Sequence, residues 1–290
     1  MQISIDYLLL YVSRHNGFSI DVLGVENVQI PFGMLLNNVE LFLLVFVRMT
    51  GLFVTAPIFG RKNIPVYLKI GFSFTTAILM ASVIKVDHII ATDSFLIYAG
   101  YIIKEFIVGV VIGYVAYIVF TSIYVAGQII DMQIGFGMVN VYDPISNIQV
   151  PVTANLYFIL AMIIFLVTNG HHVLIKALFQ SFNLVPLGTA GIGPKMLDNI
   201  IGVFQQLFSI GFRIAAPIVA AVLITDVVLG IISKTIPQMN VFILGMPLKI
   251  LIGLIIIMIT IPAFIYIVTM LTDNINIEIF KFIKDMGSNS

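Results

Sequence analysis

The chain has 290 residues, 60% of them hydrophobic and 10% charged, with 14 basic and 14 acidic side chains, a formal net charge of zero and a mean hydropathy of +1.12. A soluble globule carries about 25% charged residues to solvate its surface, so this composition excludes a water-soluble packing and points to an all-α integral membrane protein. Zero net charge and the lack of any Lys/Arg cluster beyond Arg61-Lys62 exclude nucleic acid as a partner, and zero cysteines exclude disulfides and thiolate metal sites.

The N-terminus does not read as a signal peptide. Its apolar stretch, Tyr7 to Val12, is short, and Asp6 stands where a basic region belongs, so the mature chain is expected to start near Met1. Asp21, Glu26 and the Gly and Asn content make the first 35 residues or so a polar segment facing one compartment. With Trp absent, interfacial belts fall to Tyr and Phe.

Six apolar runs follow, read against the roughly 20 residues that a crossing needs. The first covers about Asn37 to Pro57 and contains Arg48. The second covers Leu68 to Ile84. The third starts near Phe95 and is charge-free from Phe106 to Ile130. The fourth covers Pro151 to Val167. The fifth, Asn199 to Ile232, carries Arg213 and Asp226, and the sixth covers Pro247 to Thr272. An amphipathic tail follows, with Ile275, Ile279, Phe280 and Phe282 among Glu278, Lys281 and Lys284. At about 1.5 Å per residue the fifth run exceeds a bilayer. It reads as one arm of a helical hairpin with the sixth. The polar tip holds Ser233, Lys234 and Thr235, and Pro237 ends the first arm.

Loop charge does not orient these runs. In a six-span arrangement Arg61, Lys62, Lys69, Lys234 and Lys249 fall on one side, and Arg14, Lys85, Lys176, Lys195, Lys281 and Lys284 on the other. The near-tie implies that some apolar runs are not simple crossings.

The stretch between the third and fourth runs, Gly127 to Pro151, is too polar and Gly-rich to span and too apolar for an ordinary solvated loop. Irregular backbone at membrane depth survives only where protein buries it or a cavity meets it. Two readings stay open from the residues alone: a re-entrant loop or pore element, and a loop resting at the interface.

No metalloprotease, nucleophile-elbow, Walker or dinucleotide pattern occurs. His171 and His172 point about 100° apart on a helix and make a poor metal pair. They follow the turn signal Asn169-Gly170 and read as structural. No metal and no cofactor is expected, and no nucleophile–base pair suggests an enzyme. Gly109 and Gly113 form a G-x-x-x-G that lets another helix approach. Arg48, Lys104, Glu105, Arg213 and Asp226 interrupt apolar runs, where ionisable groups face protein or water. Arg213 and Asp226 read either as an ion relay or as docking groups, and docking is preferred. Pro217 and Pro262 read as packing kinks.

These residues carry a pattern. The run Gly127 to Pro151, continued by Phe165 to His172, resembles the signature of the FliR family of flagellar biosynthesis proteins, the R subunits of the flagellar type III export gate. Ala216 to Leu223, Asp226, Leu229-Gly230, Pro237 to Val241 and Leu244 to Lys249 match as well. Arg48 with Ala56 to Gly60 and Ile64-Pro65 adds a third block.

The resemblance implies a non-enzymatic, pore-forming subunit that passes unfolded flagellar proteins across the inner (cell) membrane within the basal body. The subunits of such a gate assemble as a helical spiral rather than a flat ring. It implies partners as well: the P and Q subunits (FliP, FliQ), the export components FlhB and FlhA, export substrates and the bilayer. Residues 1–198, with a plug loop in 127–151, would be P-like, and 199–290 would be a Q-like hairpin with its tail. The plug maps onto Gly135, Phe136, Gly137, Met138, Val139, Asn140, Val141, Tyr142, Asp143 and Pro144. Phe136, Met138 and Tyr142 offer apolar sealing groups, the glycines backbone freedom, and Asp143-Pro144 an exit turn. Expected packing or docking positions are Arg48, Gly109, Gly113, Arg213, Pro217, Asp226, Lys234 and Pro237. The alternatives are a virulence-injectisome homologue of the same family and a secondary transporter. A transporter would show polar groups converging in repeated halves, and no inverted repeat is evident.

Overall fold

Seven helices form among the residues that the computed structural model describes, which are 39–61, 63–84, 95–136, 151–191, 193–236 and 240–287. They are α1 (Val39–Thr55), α2 (Val66–Val83), α3 (Phe95–Ile134), α4 (Val152–Val167), α5 (Gly170–Leu184), α6 (Pro194–Thr235) and α7 (Val241–Gly287). No strand occurs among the described residues. A backbone in hydrocarbon must satisfy its own N–H and C=O groups, and a helix does this within one segment.

Three of these helices, α3, α6 and α7, are long and apolar enough to cross a bilayer, and the bent pair α4–α5 makes a fourth if it counts as one span. Six apolar runs in the sequence therefore correspond to three or four such helices among the described residues. The difference has a physical origin. With 17 and 18 residues, α1 and α2 reach about 26 and 27 Å, short of a hydrocarbon core of about 30 Å. Helices α3, α6 and α7 have 40, 42 and 47 residues, hence about 60 to 70 Å. No ordinary tilt fits that length into a bilayer, so each projects well beyond it.

Helix α7 runs unbroken through Gly287, so the amphipathic tail is its last turns rather than a separate element. Asp273 and Asn274 do not break it, because Ile275, Ile279, Phe282, Ile283 and Met286 all bury their side chains. At its end the Gly191 N–H donates to the Met286 carbonyl at 3.1 Å, and Asn199 bonds Asp285. Helices α4 and α5 meet at a 66° bend. Asn169 takes the left-handed conformation there, with φ 57°, which asparagine tolerates better than bulkier residues.

Helix α3 is the axis of the fold and packs on α1, α4, α5, α6 and α7. Val108, Ile112, Val115, Ile123, Ile130 and Ile134 are buried along it. The α1–α3 contact is backbone against backbone. A methyl group built on Gly113 would lie 2.9 Å from the Ala56 nitrogen, and one on Gly51 would lie 2.6 Å from the Phe106 carbonyl. In lipid, where apolar burial alone gives no drive, such close approach supplies the packing attraction.

Candidate functional site

Arg48 lies on α1 and is fully buried. Every side of its guanidinium has a partner. Nε donates to Glu105 Oε2 at 2.5 Å, Nη1 to Ser181 Oγ at 3.1 Å and Nη2 to the Val185 carbonyl at 3.0 Å. The Phe182 ring packs 4.2 Å from its carbon. Glu105, also fully buried, uses its other oxygen to accept the Gly188 N–H at 2.8 Å. Gly188 holds φ 79°, a conformation that favours glycine. Lys104 Nζ donates to the Gly188 carbonyl. One ion pair thus ties α1, α3, α5 and the 185–191 segment together. Two buried charges are tolerable only when paired and hydrogen-bonded in this way.

A second polar device stands where α3 ends and α4 begins. The Asp131 carboxylate accepts the Thr153 N–H, at 2.9 and 3.1 Å to its two oxygens, and the Ala154 N–H at 3.2 Å. It caps α4 from another helix, placing negative charge at the positive end of the helix dipole. Gly127 permits the approach, since a side chain there would run into the Ala154 backbone. The clasp brings together the two ends of the segment between 134 and 151. Of the expected plug residues, Gly135 (φ 99°) and Phe136 are described, and Phe136 packs on the core. Gly137, Met138, Val139, Asn140, Val141, Tyr142, Asp143 and Pro144 lie outside the described residues.

The remaining expected positions divide into two groups. Arg48, Gly109 and Gly113 come together at the α1–α3 contact: a methyl group on Gly109 would lie 3.1 Å from the Gly51 Cα. Arg213, Pro217, Asp226 and Lys234 are strung along α6 and do not join them. Asp226 pairs with Lys249 of α7, tying the two arms of the hairpin. Arg213, Pro217 and Lys234 are exposed, and Pro237 lies outside the described residues.

Three residues that carry this geometry escape a span-by-span reading: Asp131, Ser181 and Phe182. The last two belong to α5, whose buried Leu174, Ala177, Leu178, Ser181 and Phe182 keep helical spacing. That period, rather than hydropathy, marks the element. Among the described residues no group of three or more His, Asp or Glu side chains is placed to hold a metal. The His171 and His172 rings lie 4.1 Å apart at the start of α5.

The arrangement is one of ties and packing faces. Residues 39–275 match the family model described as bacterial export proteins, family 1. The flagellar biosynthetic protein FliR of Bacillus subtilis (strain 168) is 34% identical over 230 residues, 78% of this chain and 88% of that protein. The flagellar biosynthetic protein FliR of Escherichia coli (strain K12) is 24% identical over 260 residues, covering 90% and 97%. That of Aquifex aeolicus (strain VF5) is 28% identical over 220 residues, covering 76% and 84%.

Proposed function

The chain belongs to the bacterial export proteins, family 1, and from that premise we propose that it is a pore-forming structural subunit of the flagellar type III protein export gate. It passes unfolded flagellar subunits across the inner membrane at the basal body. Its role is structural rather than catalytic. The observation that carries this reading is the extent of the family match, which takes in α1 to α6 and most of α7. The relatives quoted above are flagellar, which favours this branch over an injectisome counterpart.

The finer assignments follow the same reading. Residues 135–144 form the plug, and the Asp131 clasp fixes its base, so that the segment swings from a defined anchor. Phe136, Met138 and Tyr142 seal the closed channel by apolar contact. Residues 1–198 act as the P-like part and 199–290 as the Q-like hairpin. FliP and FliQ cover the exposed apolar faces, with FlhB and FlhA nearby. Gly109 and Gly113 set internal packing, whereas Arg213, Pro217, Lys234 and Pro237 dock to neighbours.

The test is complementation. A flagellated bacterium lacking its own R subunit should regain hook and filament secretion when given this chain together with its P- and Q-type partners. Deletion of 135–138 in the assembled gate should leak small ions. No secretion despite full assembly would overturn the export reading, and unchanged ion permeability would overturn the plug.

A further inference from the structure

The last turn of α3 is engaged from two directions. Asp131 ties it to α4, and Ile134, its final residue, reaches α7. Ile134 is fully buried, and its side chain sits in a notch at Gly253. A methyl group built on Gly253 would lie 2.5 Å from the Ile134 Cδ1 and 2.7 Å from its Cγ1. Turning χ2 moves Cδ1 away but leaves Cγ1 in place. Only a change of χ1 clears both atoms, and a β-branched side chain on a helix has essentially one χ1 well. A side chain at 253 therefore pushes the end of α3 and α7 apart. Gly253 is the single glycine from Ile250 to Thr272, so the charge-free length of α7 offers this notch at one place.

Three features set this contact apart from ordinary packing. The chain leaves α3 immediately after it: Gly135 takes φ 99°, and its N–H donates to the Asp131 carbonyl at 3.2 Å. Lys249, one turn before Gly253, pairs with Asp226 of α6, so both arms of the hairpin are joined at this level. Leu251, Leu254 and Ile255 stand on the same turns and face outward. A load on that outer face crosses one helix, about 10 Å in diameter, to reach Ile134. The far end of α7, where Gly191 and Asn199 bond it, is about 50 Å away along the helix. A tilt of about 4° about that end moves Gly253 by about 3.5 Å. A gap of about 1 Å already forfeits up to half of the dispersion attraction across a contact.

We propose that the notch at Gly253 couples the α6–α7 hairpin to the end of α3. Seated on Ile134, it holds residues 131–136 in place, and withdrawn by a small tilt of the hairpin, it frees them. A packed contact of this kind has two states, engaged and disengaged, rather than a graded response. The effect on a channel rests on the plug reading of 135–144, whereas the hold on α3 does not, and the two have separate readouts.

The test combines amide hydrogen exchange with ion conductance in planar bilayers, both on the full-length chain assembled with its P- and Q-type subunits. Gly253→Leu should speed exchange at 132–136 about tenfold while 108–126 stays protected, and it should leak ions. Adding Ile134→Ala, which makes room for the leucine, should return exchange to within about twofold of wild type and close the leak. Gly253→Ala adds one methyl group and should speed exchange about threefold, which keeps the test open where the leucine variant does not assemble. Unchanged exchange in both Gly253 variants, exchange that spreads along α3, or no recovery in the double variant would overturn the proposal. So would freed exchange without a leak in Gly253→Leu when deletion of 135–138 does leak. Freed exchange with no leak from either change supports the hold on α3 and overturns the plug reading alone.

Discussion

The apolar window of α3 is 61% buried inside the chain, whereas that of α7 is 17% buried. Around α3 the charges point inward and satisfy one another, as Arg48 and Glu105 do with no exposed surface. On the α6–α7 hairpin the ion pair Asp226–Lys249 is partly exposed, and large side chains such as Met258 (71%) and Ile259 (67%) face outward. The bundle buries its polar ties, although α2 and α4 also leave large apolar side chains such as Phe72 and Ile163 facing outward. The outward apolar faces of the hairpin need lipid or other subunits to cover them. Stability and assembly are thus written in different parts of one chain.

The largest expected effect breaks the bundle. Glu105→Ala leaves the Arg48 guanidinium buried and unpaired, which costs about 3–5 kcal/mol. Thermal unfolding in detergent should show little folded protein. The double variant Arg48→Met with Glu105→Met should recover most of that loss, because an apolar pair of similar volume replaces a buried ion pair at little cost. Next comes Gly109→Leu, which forces α1 from α3 and should cost about 1–3 kcal/mol by overpacking, read as a lowered melting temperature. Asp131→Ala removes the cap of α4 and should cost about 1–2 kcal/mol, read as faster amide exchange at 153–155. Asp226→Asn weakens a partly exposed pair and should change stability by less than about 1 kcal/mol. Ile259→Ser should move the chain's own stability by no more than about 0.5 kcal/mol, yet reduce co-purification with P- and Q-type subunits. An Ile259→Ser variant that unfolds alone would erase the contrast between the two regions.

The same contrast explains what the sequence tells a reader. Most of the apolar runs place their helices within a few residues, whereas the sixth stops at Thr272 and α7 continues through Gly287. The run Asn199 to Ile232 is α6, and the turn signal Asn169-Gly170 sits at the α4–α5 bend. Hydropathy alone does not separate a crossing from a short apolar helix such as α1 or α2. Helix α5 is passed over because His171, His172, Lys176, Gln180 and Asn183 dilute its apolar face. The partner of Arg48 is illegible for another reason. Glu105 stands 57 positions away, and a charge in a sequence does not name its counter-charge. The Asp131 cap is hidden likewise. A capping side chain ordinarily precedes its own helix by a few residues, whereas this one reaches α4 from a different helix, 22 positions upstream.

The central claim is that the hairpin's outward apolar faces meet other gate subunits. A photo-crosslinking amino acid at Met258 or Ile259, in cells expressing the chain with its P- and Q-type subunits, tests this directly. The account predicts covalent adducts with those subunits and none at buried Ile257, which is 4% exposed. Adducts with lipid alone, from a chain that stays monomeric beside them, would contradict it.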